Sequence, residues 1–160
     1  GKPVPKNTKE MQAMVAYMNW MNHGYKKDDK IPGRGIGKID TELQPNKTNG
    51  KKIYEVQCAV CHGKGGQGVQ ADDGSYVFPA VWGENSFNIG AGMARTYTAA
   101  AFIKQNMPIG HNTRFPLGHG GLSDQDAVDV AEYFSHINRP DFADKHKDWP
   151  NGEKPRDARY

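Results

Sequence analysis

Residues 58–62 read Cys58-Ala59-Val60-Cys61-His62, and this segment holds both cysteines of the chain. Two cysteines separated by two residues and followed directly by a histidine are typical of covalent c-type haem attachment. Thiols one helical turn apart can each form a thioether with a haem vinyl group, and the imidazole of the next residue then lies beneath the iron. We therefore predict one haem c, bound covalently through Cys58 and Cys61, with His62 as the proximal iron ligand.

Other interpretations of this cysteine pair have less support. A thioredoxin-like redox pair requires a strand before the motif, and none is predicted there. A structural zinc site requires four ligands, and the other histidines have no paired spacing near the motif. A disulfide between the two cysteines would close too small a loop to stabilise much. The glycines at 63–68 match G-x-G-x-x-G, but no strand precedes them, so we predict no dinucleotide site.

Length and composition favour one domain with an arm, because the chain has 160 residues. No stretch approaches the roughly 18 apolar residues of a transmembrane helix, so we predict no membrane span. The first residues lack the apolar region of a signal peptide, and we expect any export signal to have been removed already. Because bacterial c-type haem is attached outside the cytoplasmic membrane, the expected location is periplasmic or otherwise extracytoplasmic.

The charge is distributed unevenly along the chain. Residues 1–52 hold 11 Lys and Arg against 5 Asp and Glu, a net charge of +6, whereas residues 53–138 hold 4 against 8, a net charge of −4. Such a basic arm is either a solvated linker or a surface that steers an acidic partner. Its charges are not interleaved with aromatic residues, so we predict no nucleic-acid partner. The basic residues considered are Lys26, Lys27, Lys30, Arg34 and Lys38.

Capping residues and apolar spacing predict four helices. Their expected bounds are Lys9 to His23, Asn49 to the haem motif, Ala99 to Asn106, and Ser123 to about Ile137. Methionines form an apolar stripe on the first helix, for which packing is favoured over a copper site. On the second helix, Ile53, Val56 and Val60 share one face. Residues 63–96 look irregular, and a loop of that length is typical of a functional segment, here one that wraps a haem.

The second iron ligand has four candidates. Met107 is favoured, because a helix-breaking proline follows it and frees a loop to present its sulfur across the haem face. Met93 is the alternative, and its other possible role is to pack against the porphyrin while Arg95 approaches a propionate. His111 and His119 are more typical of exposed loop histidines. The predicted metal ligands are therefore His62 and Met107.

Further residues are predicted around the haem. The Pro79 carbonyl is expected to accept a hydrogen bond from the second ring nitrogen of His62, as a ligand imidazole requires. Trp82 and Tyr76 are candidates to line the haem pocket, with the Trp82 indole reaching a propionate. Ordinary core packing explains these two aromatic residues equally well.

From Asn49 to Ile137, the motif, the Met107-Pro108 step and the start of the last helix resemble class I cytochromes c. Tyr54 and Phe134 match the positions at which that family crosses its terminal helices. Four segments resemble, more narrowly, the C-terminal haem domain of the dihaem thiosulfate dehydrogenase/tetrathionate reductase family. They are Tyr76-Val77-Phe78-Pro79, Trp82-Gly83, residues 86–93 and residues 102–108. In that family the Met of the Met-Pro step is a distal ligand, which implies the same role for Met107.

The resemblance implies an all-α class I cytochrome c fold around one covalently bound haem. We expect an N-terminal helix and extended linker arm at 1–47, the haem domain at 48–138 and an extended tail at 139–160. Residues 10–18, Trp20 and residues 32–35 resemble the end of the family's first haem domain and its linker. The rest of that domain, with the Cys-ligated haem at which thiosulfate reacts, has no counterpart in this sequence.

The main functional hypothesis is a periplasmic monohaem cytochrome that transfers single electrons between redox proteins, either other cytochromes or an oxidoreductase. The alternative is the electron-exit domain or fragment of an enzyme that resembles thiosulfate dehydrogenase/tetrathionate reductase. A haem sensor with an open sixth coordination position is a third possibility. Since the Cys-ligated haem is missing, the resemblance leaves enzymatic activity open and favours an electron carrier.

Overall fold

The computed structural model describes residues 3–26, 29, 36–110 and 120–160. The chain divides into two compact units, Gly1–Arg34 and Gly35–Tyr160. The described residues contain no helix with the length and apolar character needed to cross a membrane. The predicted loop histidines, His111 and His119, lie outside the described residues.

The first unit contains one helix, α1, at Lys9–Met21. The hydroxyl of Thr8 accepts a hydrogen bond from the Met11 N–H and caps the start of α1. The helix ends two residues before the predicted end at His23. None of its residues is buried, and the rings of Tyr17 and Trp20 stack with their centroids 5.8 Å apart.

The second unit is mainly helical, with one small hairpin. Its elements are α2 at Lys47–Ile53, a π-helical turn at Tyr54–Cys58, α3 at Ala59–His62, β1 at Val69–Gln70, β2 at Tyr76–Phe78, a 3₁₀ turn at Gly92–Ala94, α4 at Thr96–Asn106, α5 at Asp124–Ser135 and a 3₁₀ turn at Ala143–Lys147. Strands β1 and β2 are antiparallel, with Val69 opposite Phe78. The segment expected to be wholly irregular therefore includes a hairpin.

Helices α2 and α5 cross at a point of close backbone approach. A Cβ atom placed on Gly50 of α2 would overlap the Asp129 carbonyl of α5, so only glycine fits this position. One turn later, Tyr54 is 2% exposed, and its ring centroid lies 4.7 Å from that of Trp82 and 5.7 Å from that of Tyr133. The crossing therefore fixes the direction in which the haem motif leaves α2.

The buried face of this helical segment differs from the predicted one. Val56 and Val60 are 79% and 81% exposed, whereas Gly50 and Tyr54 are buried. The π-helical turn at Tyr54–Cys58 changes the angular spacing of the side chains. Of the predicted apolar face, Ile53 therefore packs against the core, whereas Val56 and Val60 do not.

Asp129 connects α5 to the start of α2. Its side chain is buried and accepts hydrogen bonds from the Asn46 backbone N–H at 2.8 Å, from Asn49 Nδ2 at 2.9 Å and from Gln125 Nε2 at 2.7 Å. These three donors satisfy a carboxylate that would be costly to bury alone. The Leu43 carbonyl also accepts a hydrogen bond from the Tyr97 hydroxyl at 2.9 Å. The sequence predicts an extended linker before α2, but these contacts show that Leu43 and Asn46 pack against the rest of the second unit.

The core between α4 and α5 consists mostly of small side chains. Its fully or nearly fully buried members include Ala99, Ala100, Ala101 and Ile103 of α4 and Ala127, Val128, Val130, Ala131 and Phe134 of α5. Alanine lets the two helices approach closely, because it adds little volume between them. The Ser123 hydroxyl accepts a hydrogen bond from the Asp126 N–H and caps α5, as the sequence indicates.

Arg139 follows α5 and begins the C-terminal tail. Its guanidinium donates to the Phe134 carbonyl at 2.9 Å and lies over the Phe87 ring, 4.3 Å from the centroid. Burial lowers the pKa of Arg139 to about 10, and nearby Arg159 adds to the effect. The tail, predicted to be extended, includes the 3₁₀ turn and packs Phe142 against Gly90.

We predict that Gly50→Ala destabilises the protein. Although alanine favours helix formation, its Cβ would overlap the Asp129 backbone, and overpacking of this kind costs about 1–3 kcal/mol. Denaturant unfolding of the holoprotein measures the loss, with exposed Lys52→Ala on the same helix as the control. Equal stability of the two variants would contradict the close crossing of α2 and α5.

Candidate haem-binding site

The two cysteines lie at consecutive turns of the segment that leaves α2. Cys58 ends the π-helical turn and Cys61 lies in α3, and both are free thiols of intermediate burial. Burial raises the pKa of the Cys58 thiol to about 11, and the neighbouring Cys61 adds to the rise. Both sulfurs are therefore available for thioether bonds, since neither is consumed in a disulfide.

Tyr54 holds the end of the motif helix in place. Its hydroxyl donates a hydrogen bond to the Gly63 carbonyl at 2.8 Å, immediately after His62. Gly63 ends α3 in a left-handed conformation, with a φ of +78°. A residue with a Cβ atom would adopt this conformation only with strain. Burial raises the pKa of Tyr54 well above its usual value, so the phenol stays protonated and remains a donor.

The His62 imidazole is oriented by a backbone carbonyl. Its Nδ1 lies 2.9 Å from the Pro79 oxygen, a contact across 17 residues of sequence. Since a carbonyl only accepts, Nδ1 carries the proton and donates, which leaves the Nε2 lone pair free to bind a metal. This is the arrangement in which a ligand histidine is fixed by a partner behind it.

The segment that carries Pro79 is held by close backbone contacts. A Cβ on Gly66 would overlap the Trp82 ring, and one on Gly68 would overlap the Phe78 carbonyl. The Val81 N–H donates to the Gly66 carbonyl at 2.8 Å. The glycines after the motif therefore allow the chain to pass directly beside the segment that supplies the Pro79 carbonyl.

Met107 lies at the C-terminal end of α4. Its N–H donates to the Ile103 carbonyl at 2.8 Å, and its side chain is partly buried against the core. A Cβ on Gly120 would overlap the Met107 carbonyl, so the returning chain passes directly over this residue. Lys104 donates to the Leu122 carbonyl at 2.6 Å and pairs with Asp124 at 3.0 Å, which ties the end of α4 to the start of α5.

The other predicted site residues divide into two groups. Met93, in the 3₁₀ turn, packs against the same core as Cys58 and Met107, and Trp82 belongs to that core with its ring against Tyr54. Arg95 instead borders a cavity whose lining includes none of the other predicted site residues. Tyr76 is more than a third exposed on β2. The roles proposed for Met93, Trp82 and Arg95 beside a haem stay predictions.

Two positioning contacts were not predicted from the sequence. The Tyr54 hydroxyl bond to Gly63 and the Lys104 bridge to Leu122 and Asp124 each join parts of the chain around the motif or around Met107. The sequence matches Tyr54 to the crossing of the family's terminal helices, but it gives no signal for the hydrogen bond to Gly63. Lys104 carries no local signal, because its partners lie 18 and 20 residues further along the chain.

The donor set fits a covalently bound haem. Cys58 and Cys61 would hold the porphyrin through thioethers and His62 would present Nε2 to the iron, while Met107 stays the predicted second ligand. Across residues 3–26, 29, 36–110 and 120–160, no group of three or more His, Cys, Asp or Glu side chains could hold a metal ion.

Comparison with known proteins identifies the class. The model of the family described as cytochrome c matches residues 48–138, more than half of the chain, and the chain therefore belongs to the cytochrome c family. The all-α class I cytochrome c fold expected from the sequence is confirmed. Family membership implies haem c and a role in electron transfer.

The more specific resemblance is to thiosulfate dehydrogenases, as expected from the sequence. The chain is 51% identical to the thiosulfate dehydrogenase of Psychrobacter arcticus over 159 residues, and 44% identical to that of Stutzerimonas stutzeri over 144 residues. These alignments cover 99% and 88% of this chain. A solved structure of thiosulfate dehydrogenase TsdBA from Marichromatium purpuratum matches 89% of the chain with a TM-score of 0.71 and 37% identity.

The relatives are considerably longer than this chain. It spans 46% of the Psychrobacter arcticus protein, 43% of the Stutzerimonas stutzeri protein and 29% of the solved TsdBA chain. The similarity therefore covers one part of each relative.

We predict that Met107→Ala removes the sulfur-to-iron charge-transfer absorption of the ferric protein and lowers its reduction potential. Loss of a thioether ligand has this effect, because Met/His ligation raises the potential of a haem. Met93→Ala is the matched control and should keep the absorption. An unchanged spectrum in Met107→Ala together with its loss in Met93→Ala would assign the ligand to Met93 instead.

Proposed function

We propose that this chain is the electron-exit haem domain of an enzyme related to thiosulfate dehydrogenase. The main support is the 51% identity to the Psychrobacter arcticus enzyme over 99% of this chain. The site geometry agrees with this role, because it offers two thiols and an oriented imidazole for one haem c. The proposal therefore assigns one-electron transfer to this chain and the sulfur chemistry to another part of the enzyme.

The chain's residues would hold the haem in one orientation. When bound, the haem supplies an iron that cycles between the ferrous and ferric states. Cys58 and Cys61 fix the porphyrin, while the Pro79 carbonyl keeps the proton of His62 on Nδ1 and directs Nε2 toward the iron. Because the carbonyl belongs to the backbone, the direction of the imidazole is set without a titrating partner.

Met107 would complete the coordination from the end of a packed helix. The bond to Ile103, the close passage of Gly120 and the Lys104 bridge all restrict the position of its backbone. A ligand held in this way changes little between oxidation states, which favours rapid one-electron transfer. It also argues against a sensor with an open sixth position.

A free-standing monohaem carrier is less well supported than an electron-exit domain. The alignments that cover 99% and 88% of this chain are to proteins named thiosulfate dehydrogenase, and both relatives are more than twice its length. An electron-exit domain would receive electrons from a sulfur-oxidising haem domain and pass them to a redox protein. We further propose a periplasmic or otherwise extracytoplasmic location, because c-type haem is attached there in bacteria.

A chimera tests the proposal. This chain replaces the corresponding segment of the Psychrobacter arcticus enzyme, and thiosulfate-dependent reduction of the transplanted haem is followed by its visible spectrum. We expect the chimera to reduce this haem and an external acceptor, and the isolated chain to titrate as a reversible one-electron couple without oxidising thiosulfate. Met107→Ala in the chimera should slow acceptor reduction, since its lower potential opposes electron entry.

Two results would contradict this assignment. Thiosulfate turnover by the isolated chain would place catalysis in this chain itself. A folded chimera that carries its full complement of haem but never reduces the transplanted one would favour a free-standing carrier.

A further inference from the structure

The C-terminal tail and the segment before α4 line a polar, open-sided cavity of about 230 Å³. Residues 89–91 and Arg95 form one side, and the tail supplies the other. The tail residues that line it are Asp148, Trp149, Arg159 and Tyr160. The tail lies beyond residues 48–138, so this cavity is built partly by residues outside the matched cytochrome c domain.

Two guanidinium groups border this cavity without a carboxylate partner. Within the part of the chain that the structure describes, neither Arg95 nor Arg159 forms an ion pair, and Nη1 of Arg159 is buried without a hydrogen-bond partner. Burial lowers the pKa of Arg159, which reflects the cost of holding its charge away from water. Arg159 is only partly buried, so its unpartnered Nη1 is the observation that points to a ligand, because a buried polar atom is rarely left without a hydrogen-bond partner.

The nearby acidic groups are already engaged. Tyr160 donates its hydroxyl to Asp148, the carboxylate of the cavity wall. Glu132 does not line the cavity, but its negative charge attracts Arg159. The Glu132 carboxylate already accepts a hydrogen bond from the Thr96 hydroxyl at 2.7 Å and lies 3.3 Å from His136 Nδ1. The side chains of the cavity wall thus carry two positive charges, Arg95 and Arg159, against one negative charge, Asp148.

The tail is anchored close to Arg159, so the cavity is organised in advance. The Asp157 carboxylate accepts from the Tyr97 N–H at 2.9 Å in the first turn of α4. Arg156 donates to the Tyr97 hydroxyl at 2.7 Å and lies over that ring. The rings of Trp149 and Tyr160 also pack together, with centroids 5.3 Å apart.

We propose that Arg95 and Arg159 bind a small oxyanion in this cavity. Guanidinium forks match the paired oxygens of carboxylates and of tetrahedral anions, which makes arginine the usual residue for this recognition. The oxyanion has two possible sources, a free inorganic anion such as sulfate or a propionate of the bound haem. The free-anion case does not depend on the proposed electron-transfer function, whereas the propionate case rests on the haem.

Isothermal titration of the haem-loaded protein with sodium sulfate at constant ionic strength separates the two sources. If the anion is free, the wild type binds sulfate saturably at one site, and Arg159→Gln and Arg95→Gln each weaken binding at least about tenfold. Lys154→Gln is the matched control, because it removes an exposed tail cation that does not line the cavity. Arg159→Lys should weaken binding less than Arg159→Gln, since it keeps the charge.

If a propionate occupies the site, the wild type binds no sulfate. The reduction potential of Arg159→Gln then falls below those of the wild type and Lys154→Gln, because loss of a nearby positive charge favours the ferric state. The proposal is overturned if sulfate does not bind and Arg159→Gln has the same potential as the control. Sulfate binding that is equally strong in wild type, Arg95→Gln and Arg159→Gln also overturns it.

Discussion

The contact between His62 Nδ1 and the Pro79 carbonyl joins the two parts of the chain on which the site depends. One end belongs to the cysteine motif, and the other belongs to the segment that follows the hairpin. A shift of either part would change the direction of Nε2 and therefore the position of any metal bound there. Much of the surrounding structure can be understood as holding these two parts at a fixed separation.

On the motif side, the crossing of α2 and α5 sets the position of the His62 imidazole. Gly50 allows the helices to approach, and Tyr54 then links the buried aromatic cluster to the Gly63 carbonyl directly after His62. On the carbonyl side, Gly66 and Trp82 pack against each other and fix the chain next to Pro79. The same small set of glycines and aromatic residues thus serves both stability and the direction of the imidazole.

Local sequence signals predicted the features that depend on near neighbours. The cysteine motif lies within five residues, and the Ser123 cap contacts Asp126 only three residues away. The predicted start of α4 at Ala99 was three residues too late, because the helix begins at Thr96 and its first turn is bound by Asp157, 60 residues from Tyr97. Similarly, the Asp129 carboxylate accepts a hydrogen bond from the Asn46 N–H, 83 residues away in the sequence. This bond holds part of the predicted linker against the rest of the second unit. No local sequence pattern indicates contacts between residues so far apart in the chain. The prediction for Val56 and Val60 assumed regular α-helical spacing, whereas the π-helical turn changes that spacing and leaves both side chains exposed.

The account depends most on two thioether bonds between this chain and a single porphyrin. The intact mass of the purified protein under denaturing conditions tests this directly, because only covalently bound haem survives the treatment. The predicted result is the mass of the polypeptide plus one haem, reduced to the bare polypeptide when Cys58 and Cys61 are both replaced by alanine. A wild-type protein with the mass of the polypeptide alone, matured where c-type haem is attached, would contradict the account.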